Sequence, residues 1–377
     1  MAGIYIHIPF CKQACSYCDF HFSTKLSNKN SVLSAIEKEL ELRANYLGEE
    51  MVETIYLGGG TPSLLNEVEL QSLFNTVHSN FKVSKQAEIT LEANPDDLTK
   101  KKLQELKQTP INRLSIGVQS FFEADLRFMN RAHNATEALE SIQNAKKVGF
   151  ENLSIDLIFG SQTTTNEMWK GNLDTFFDLG INHLSAYSLT IEEKTALAHQ
   201  VAKGKISTVD DEKNYAQYLM LQQAIQKHGF EQYELSNYCK NSSFSKHNTS
   251  YWQSKKYLGI GPSAHSFDGV SRQWNVRNNS LYLKAIENKT SCFEKEDLSE
   301  IDRYHEYLIT SLRTKWGINI AELRISFSNL IVEHFNSKKI ELNKSIVDLS
   351  TDNLVIKSEY LFQSDEVVRE LMVDFEL

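Results

Sequence analysis

The chain has 377 residues, 41% of them hydrophobic and 24% charged, with five prolines and a formal net charge of -9. That length and balance describe a well-packed globular protein with one large and one smaller domain, and exclude fibrous, low-complexity and disordered classes. The negative charge offers no general attraction to nucleic acid or to an anionic membrane, although a local basic patch is compatible with it.

The first residues read as a strand, Ile4–Ile8, not as the basic start and apolar core of a secretory signal, and no apolar run reaches a membrane span. The expectation is a cytoplasmic protein whose thiols stay reduced. Further β-rich runs follow at Thr54–Leu57, Glu88–Glu92, Arg113–Val118, Leu153–Ile158 and His183–Leu189. Amphipathic helical patterns lie between them at Val32–Tyr46, Glu67–Ser79, Thr136–Val148 and Glu167–Leu179, with Asn134 or Ala135 opening the third and Gly149 closing it.

This alternation predicts an α/β protein with a parallel sheet: a partial (β/α)6 barrel whose site lies at the C-terminal ends of its strands. A flat doubly wound sheet has the same pattern, and periodicity does not separate the two. The expected organisation is a barrel over residues 1–235, a connecting segment over 236–290, and a small C-terminal α+β, winged-helix-like domain over 291–377. In the last, helices are expected near Glu300–Lys315 and Ile318–Ser326, and a strand–turn–strand at Leu354–Gln363.

Cys11, Cys15 and Cys18 fall within eight residues, just after the first strand. Structural zinc usually takes four ligands in two close pairs, and no second pair is nearby, although His7 and His21 are within reach along the chain. Three thiolates on a [4Fe–4S] cube leave one iron exchangeable, which suits a ligand-binding cluster. Cys239 and Cys292 are isolated and read as small buried residues.

The other strands end in residues that can hold a ligand. Gly58–Ser63 follows the second, Glu92 and Asn94 the third, and Gln119 the fourth, with Arg131 and His133 beyond it. Glycines permit close backbone approach to a ligand, but also a plain tight turn. Glu92 can bind an amino group or a ribose hydroxyl, while Asn94 and Asp96 fit helix capping. Arg131 suits a carboxylate, or a solvated face, with His133 placed to orient it. Asp156 lies inside an apolar run, where an unpaired carboxylate is costly.

The Cys11/Cys15/Cys18 spacing with Tyr17 before the last reproduces the motif of the radical S-adenosylmethionine superfamily. The run Tyr5–Cys11, the Gly58–Ser63 loop, Gln119, Arg131–His133 and Asp156–Ile158 resemble its coproporphyrinogen oxidase-like branch. That resemblance implies a [4Fe–4S] cluster on the three cysteines and S-adenosylmethionine on its open iron. It further implies that Tyr5, Gly59, Glu92 and His265 stand at a first S-adenosylmethionine position, and Tyr17, Gly60, Thr61, Gln119, Arg131, Asp156 and Thr190 at a second. The branch usually shows Gly-Leu-Pro-x-Gln-Thr after the aspartate strand, and here Gly160–Thr164 departs from it.

Within the branch, dehydrogenase members carry a further cysteine where this chain has Phe20. The heme-chaperone members share that departure, together with a signature like His247-Asn248 before Tyr251-Trp252 and the run Gly259–Phe267. That resemblance implies heme as a bound cofactor, with His247 the candidate axial ligand and Tyr251 and Trp252 against a porphyrin face. For His247 the competing reading is a hydrogen-bonded core histidine.

The implied function is a heme chaperone that transfers heme to an unidentified acceptor protein, including a respiratory one, with transient membrane association compatible and no role for nucleic acid. The enzyme alternative is oxidative decarboxylation of coproporphyrinogen III by radical chemistry. Sequence leaves the acceptor, the oligomeric state and the occurrence of radical cleavage open.

Overall fold

Six β-rich runs become six parallel strands in the computed structural model, which describes residues 2–349 and 352–374. They are β1 (Ala2–Ile8), β2 (Val52–Gly59), β3 (Val83–Ala93), β4 (Arg113–Gln119), β5 (Asn152–Phe159) and β6 (His183–Ser188), hydrogen-bonded in that order. Helices connect them, and their termini follow local chemistry. Asn66 and Asn134 form capping boxes with Glu69 and Glu137, and Gly149 ends the helix Ala135–Val148 at φ 91°.

Alternation along each strand sorts two chemistries onto two faces. Ile4, Ile55, Leu91, Ile116 and Ile155 join the main core. Thr54, Glu88, Arg113, Ser115, Ser154 and His183 are also buried, although polar. They fill the inside of a partial barrel that stays open, because β1 and β6 take other neighbours instead of each other.

Residues 236–290, expected as a connector, carry four strands of the main sheet and two helices, Lys246–Trp252 and Asn279–Glu287. β7 (Glu231–Gln232) and β8 (Asn237–Cys239) extend the β6 edge; β9 (Lys256–Ile260) pairs parallel to β1, and β10 (His265–Phe267), β11 (Ser271–Asn275) and β12 (Phe293–Asp297) continue outward antiparallel. Gly259 explains part of that docking: a Cβ there would stand 1.9 Å from the His265 carbonyl oxygen.

A second hydrophobic core runs from Tyr304 to Val373 with a three-stranded sheet, β13 (Ile318–Asn319), β14 (Val347–Asp348) and β15 (Asn353–Ile356). The strand–turn–strand expected at Leu354–Gln363 is corrected by this arrangement. Both antiparallel partners of β15, β13 and β14, lie before it, and Ser358–Gln363 forms a 3-10 helix with Leu361 buried. No helix among the described residues is long and apolar enough to cross a membrane.

Buried Glu39 binds the added strands to the barrel. Its carboxylate accepts from the Gly261 amide at 2.8 Å, Tyr282 Oη at 2.7 Å and Asn275 Nδ2 at 2.8 Å, and Arg43 lies 3.4 Å away. Removing one partner of a buried charged network leaves the others unpaired, at a cost of roughly 3 kcal/mol or more. Glu39→Ala therefore lowers the thermal midpoint by several degrees, and Glu39→Gln by less; equal midpoints for Glu39→Ala and the parent contradict this.

Candidate functional site

Residues 11–18 leave the end of β1 and are clamped before any ligand is considered. The Cys11 amide donates to Ser23 O at 3.1 Å, and the Ser16 amide to Met129 O at 3.0 Å. Asn130 Nδ2 donates to Ala14 O at 2.7 Å, while Lys12 bridges to Asp96 at 2.8 Å. Burial pushes the Cys11 thiol up to about 11 and Cys18 up to about 12, so binding iron there releases protons. Among the described residues, no three His, Cys, Asp or Glu side chains converge on a single ion. Three free cysteine thiols on one short loop are soft donors that fit a cluster, in which each cysteine takes a different iron.

The three cysteines open into a cavity of about 600 Å³, within the range of small-molecule sites. Gly59, Gly60, Thr61, Glu92, Gln119, Arg131, Asp156, Thr190 and Tyr17 line it, so nine of the expected ligand residues share one space with the cysteines. Gly60 lies against the chain after β1: a Cβ there would come within 2.6 Å of Phe10 O and 2.7 Å of Ile8 O. Gln119 sits at φ 68°, a strained position at the end of β4.

Glu92 accepts from Tyr56 Oη at 2.8 Å and the Gly59 amide at 3.1 Å. Burial nevertheless pushes its pKa up to about 7, and that of Asp156 up to about 6 against the hydrogen bonds that favour its charge. Arg131 is not on a solvated face. It donates to Cys15 Sγ at 3.2 Å, Asn94 Oδ1 at 2.7 Å and Gly117 O at 2.7 Å. His133 does not orient it; its ring bonds Val118 O at 3.0 Å. Gly160–Thr164 turns away, with the Gly160 amide on Gln217 Oε1 at 2.8 Å and Thr163 on Asp125 at 2.6 Å. Tyr56 and Ser115 were missed as ligand supports, although their alternation with neighbouring core residues is the signal that finds them; Asn94 makes no side-chain cap bond and accepts from Arg131 instead.

Tyr5 and His265 line a different cavity, of about 740 Å³, beside the first. The two share Asp19, Phe20 and Tyr187. His247 does not reach either as a free ligand. It is 1% exposed, with Nδ1 2.7 Å from Thr54 Oγ1 and Nε2 2.7 Å from Tyr251 Oη, so both ring nitrogens are engaged. The core-histidine reading holds for this conformation. Tyr251 and Trp252 do line the second cavity.

A three-cysteine loop at the C-terminal mouth of a partial barrel, facing a glycine- and carboxylate-lined cavity, defines a radical S-adenosylmethionine protein. The family model "Radical SAM superfamily" matches residues 5–176. The chain is 35% identical over 324 residues to the heme chaperone HemW of Bacillus subtilis, covering 85% of each chain. It is 31% identical over 375 residues to the heme chaperone HemW of Mycobacterium tuberculosis, covering 98% of this chain and 94% of that one. The coproporphyrinogen III oxidase HemN of Escherichia coli, a radical SAM enzyme, shares the fold at a TM-score of 0.85 and 20% identity, over 99% of this chain and 90% of that one. The chain belongs to the HemW family.

Gly60→Ala is expected to lower iron and sulfide bound per chain after anaerobic reconstitution, because backbone cannot move aside as a side chain would; normal loading contradicts the close approach. Glu92 supplies a pH test. Between its ordinary value of 4.5 and about 7 the folded chain holds a proton that the unfolded chain has released. Stability of ligand-free protein therefore falls as pH rises through that window, and Glu92→Gln flattens the slope of the thermal midpoint between about pH 5 and 8. An unchanged slope counts against burial as the cause.

Proposed function

We propose that this protein binds heme beside a [4Fe–4S] cluster with S-adenosylmethionine and transfers the heme to an acceptor protein. The observation that carries this is the second cavity: about 740 Å³, with the rings of Tyr251, Trp252, Tyr257 and Phe267, the imidazole of His265 and the guanidinium groups of Arg272 and Arg277. Flat aromatic contact, an iron donor and cations for carboxylates are what an anionic metalloporphyrin needs. The names of the HemW relatives support the same ligand.

In the first cavity Cys11, Cys15 and Cys18 hold the cluster, and Glu92, in its charged form, receives an amino group. Gly59, Gly60 and Thr61 let the backbone approach, while Tyr17, Gln119, Arg131, Asp156 and Thr190 line the remainder. Held by these three cysteines, a cluster would offer S-adenosylmethionine an open iron and could supply an electron for carbon–sulfur cleavage. Phe20, 66% exposed, stands on the wall shared by both cavities, where the dehydrogenase branch has its extra cysteine. That replacement favours heme handling over decarboxylation. The protein works in the cytoplasm, and acceptors at a membrane require only a transient approach.

The test is anaerobic titration of the cluster-loaded protein with hemin, followed by mixing with an apo-cytochrome. A saturable Soret change and its passage to the acceptor are expected, with no protoporphyrinogen formed from coproporphyrinogen III, S-adenosylmethionine and reductant. Failure to bind heme sinks the proposal; product formation without heme transfer returns the dehydrogenase reading.

A further inference from the structure

We propose that heme sits in the second cavity with its iron on His265, its carboxylates on Arg272 and Arg277, and His247 acting only as a positioning residue. This rests on the heme-binding reading and assigns its geometry.

Four imidazoles lie in or behind this cavity, and their hydrogen bonds separate them. His7 is engaged at both ring nitrogens, to Tyr5 Oη at 3.2 Å and His21 O at 2.8 Å. His247 is likewise engaged at both, to Thr54 and Tyr251. His21 spends Nε2 on Asn279 Oδ1 at 2.7 Å. His265 lines the cavity, is exposed, and makes no side-chain hydrogen bond among the described residues. Partial burial and the charge of Arg272 lower its pKa, the direction that favours a neutral ring.

The anionic end of the ligand is also provided for. Arg272 reaches into the cavity from β11 and pairs with Glu306 at 2.9 Å, and its side chain, 42% exposed, leaves guanidinium donors open to a ligand carboxylate. Arg277 donates to the carbonyl of Asp19, just beyond Cys18, and so ties this cavity's wall to the end of the cluster loop. His247 acts one layer behind. Its bond to Tyr251 and its stacking on Tyr56 at 5.0 Å hold the helix Lys246–Trp252, which supplies Tyr251 and Trp252 to the wall.

The experiment titrates full-length, cluster-loaded protein with hemin, using iron and sulfide content as the check on folding. His265→Gly is expected to lose the histidine-type Soret position and at least tenfold in affinity, and added imidazole restores the spectrum. His247→Gln weakens binding but keeps the parent spectrum, and imidazole does not change it. Arg272→Gln reduces the preference for hemin over its dimethyl ester. If the parent binds heme and His265→Gly matches its spectrum and affinity, this assignment falls while the heme reading stands. The same holds if His247→Gln is the variant that imidazole rescues. If the parent binds no heme, both fall.

Discussion

One buried guanidinium ties the cluster site together. Arg131 donates at once to Cys15 Sγ, to Asn94 beyond β3, and to the Gly117 carbonyl in β4. A buried cation is tolerated only where acceptors surround it. Those three contacts fix the cluster loop against two neighbouring strand ends, and the charge offsets thiolates that burial otherwise disfavours. Lys12 on Asp96 and Asn130 on Ala14 O hold the same loop from its other side. The loop is thus positioned by the protein's own hydrogen bonds, and a cluster meets donors already in place.

The partial barrel then allows two ligand cavities to adjoin. Because β1 pairs with β9 and not with β6, the sheet stays open and its outer strands carry His265 and Arg272. The wall between the cavities is the short run after Cys18, pinned by His7 on His21 O and by His21 on Asn279. Asp19 and Phe20 in this segment line both cavities.

The parallel strands were legible because their β-branched and aromatic residues alternate with helical stretches, and because the helix caps carry local signals such as Asn134 and Gly149. The cysteine loop was legible from spacing alone. The nine expected ligand residues line one cavity because they lie in the C-terminal halves of parallel strands or in the segments after them, and parallel strands end on one face. The outer strands were not legible: β10 has three residues, and its pairing depends on Gly259 and on buried Glu39, far away in sequence. For His247 the sequence offered two readings, heme ligand and hydrogen-bonded core histidine, without deciding between them. Its partners Thr54 and Tyr251 come from separate elements, and only the fold shows that no nitrogen is left over. Tyr5 and His265 were grouped with the cluster by resemblance, whereas strand position turns them toward the neighbouring cavity.

The central claim is that a cluster and a heme occupy adjoining cavities separated by the residues around Phe20. Anomalous diffraction at the iron edge, from anaerobic crystals loaded with cluster and hemin, tests it directly. Two iron centres are predicted, one on Cys11, Cys15 and Cys18 and one within bonding distance of His265. A heme iron outside the second cavity, or bound to His247, would contradict the account.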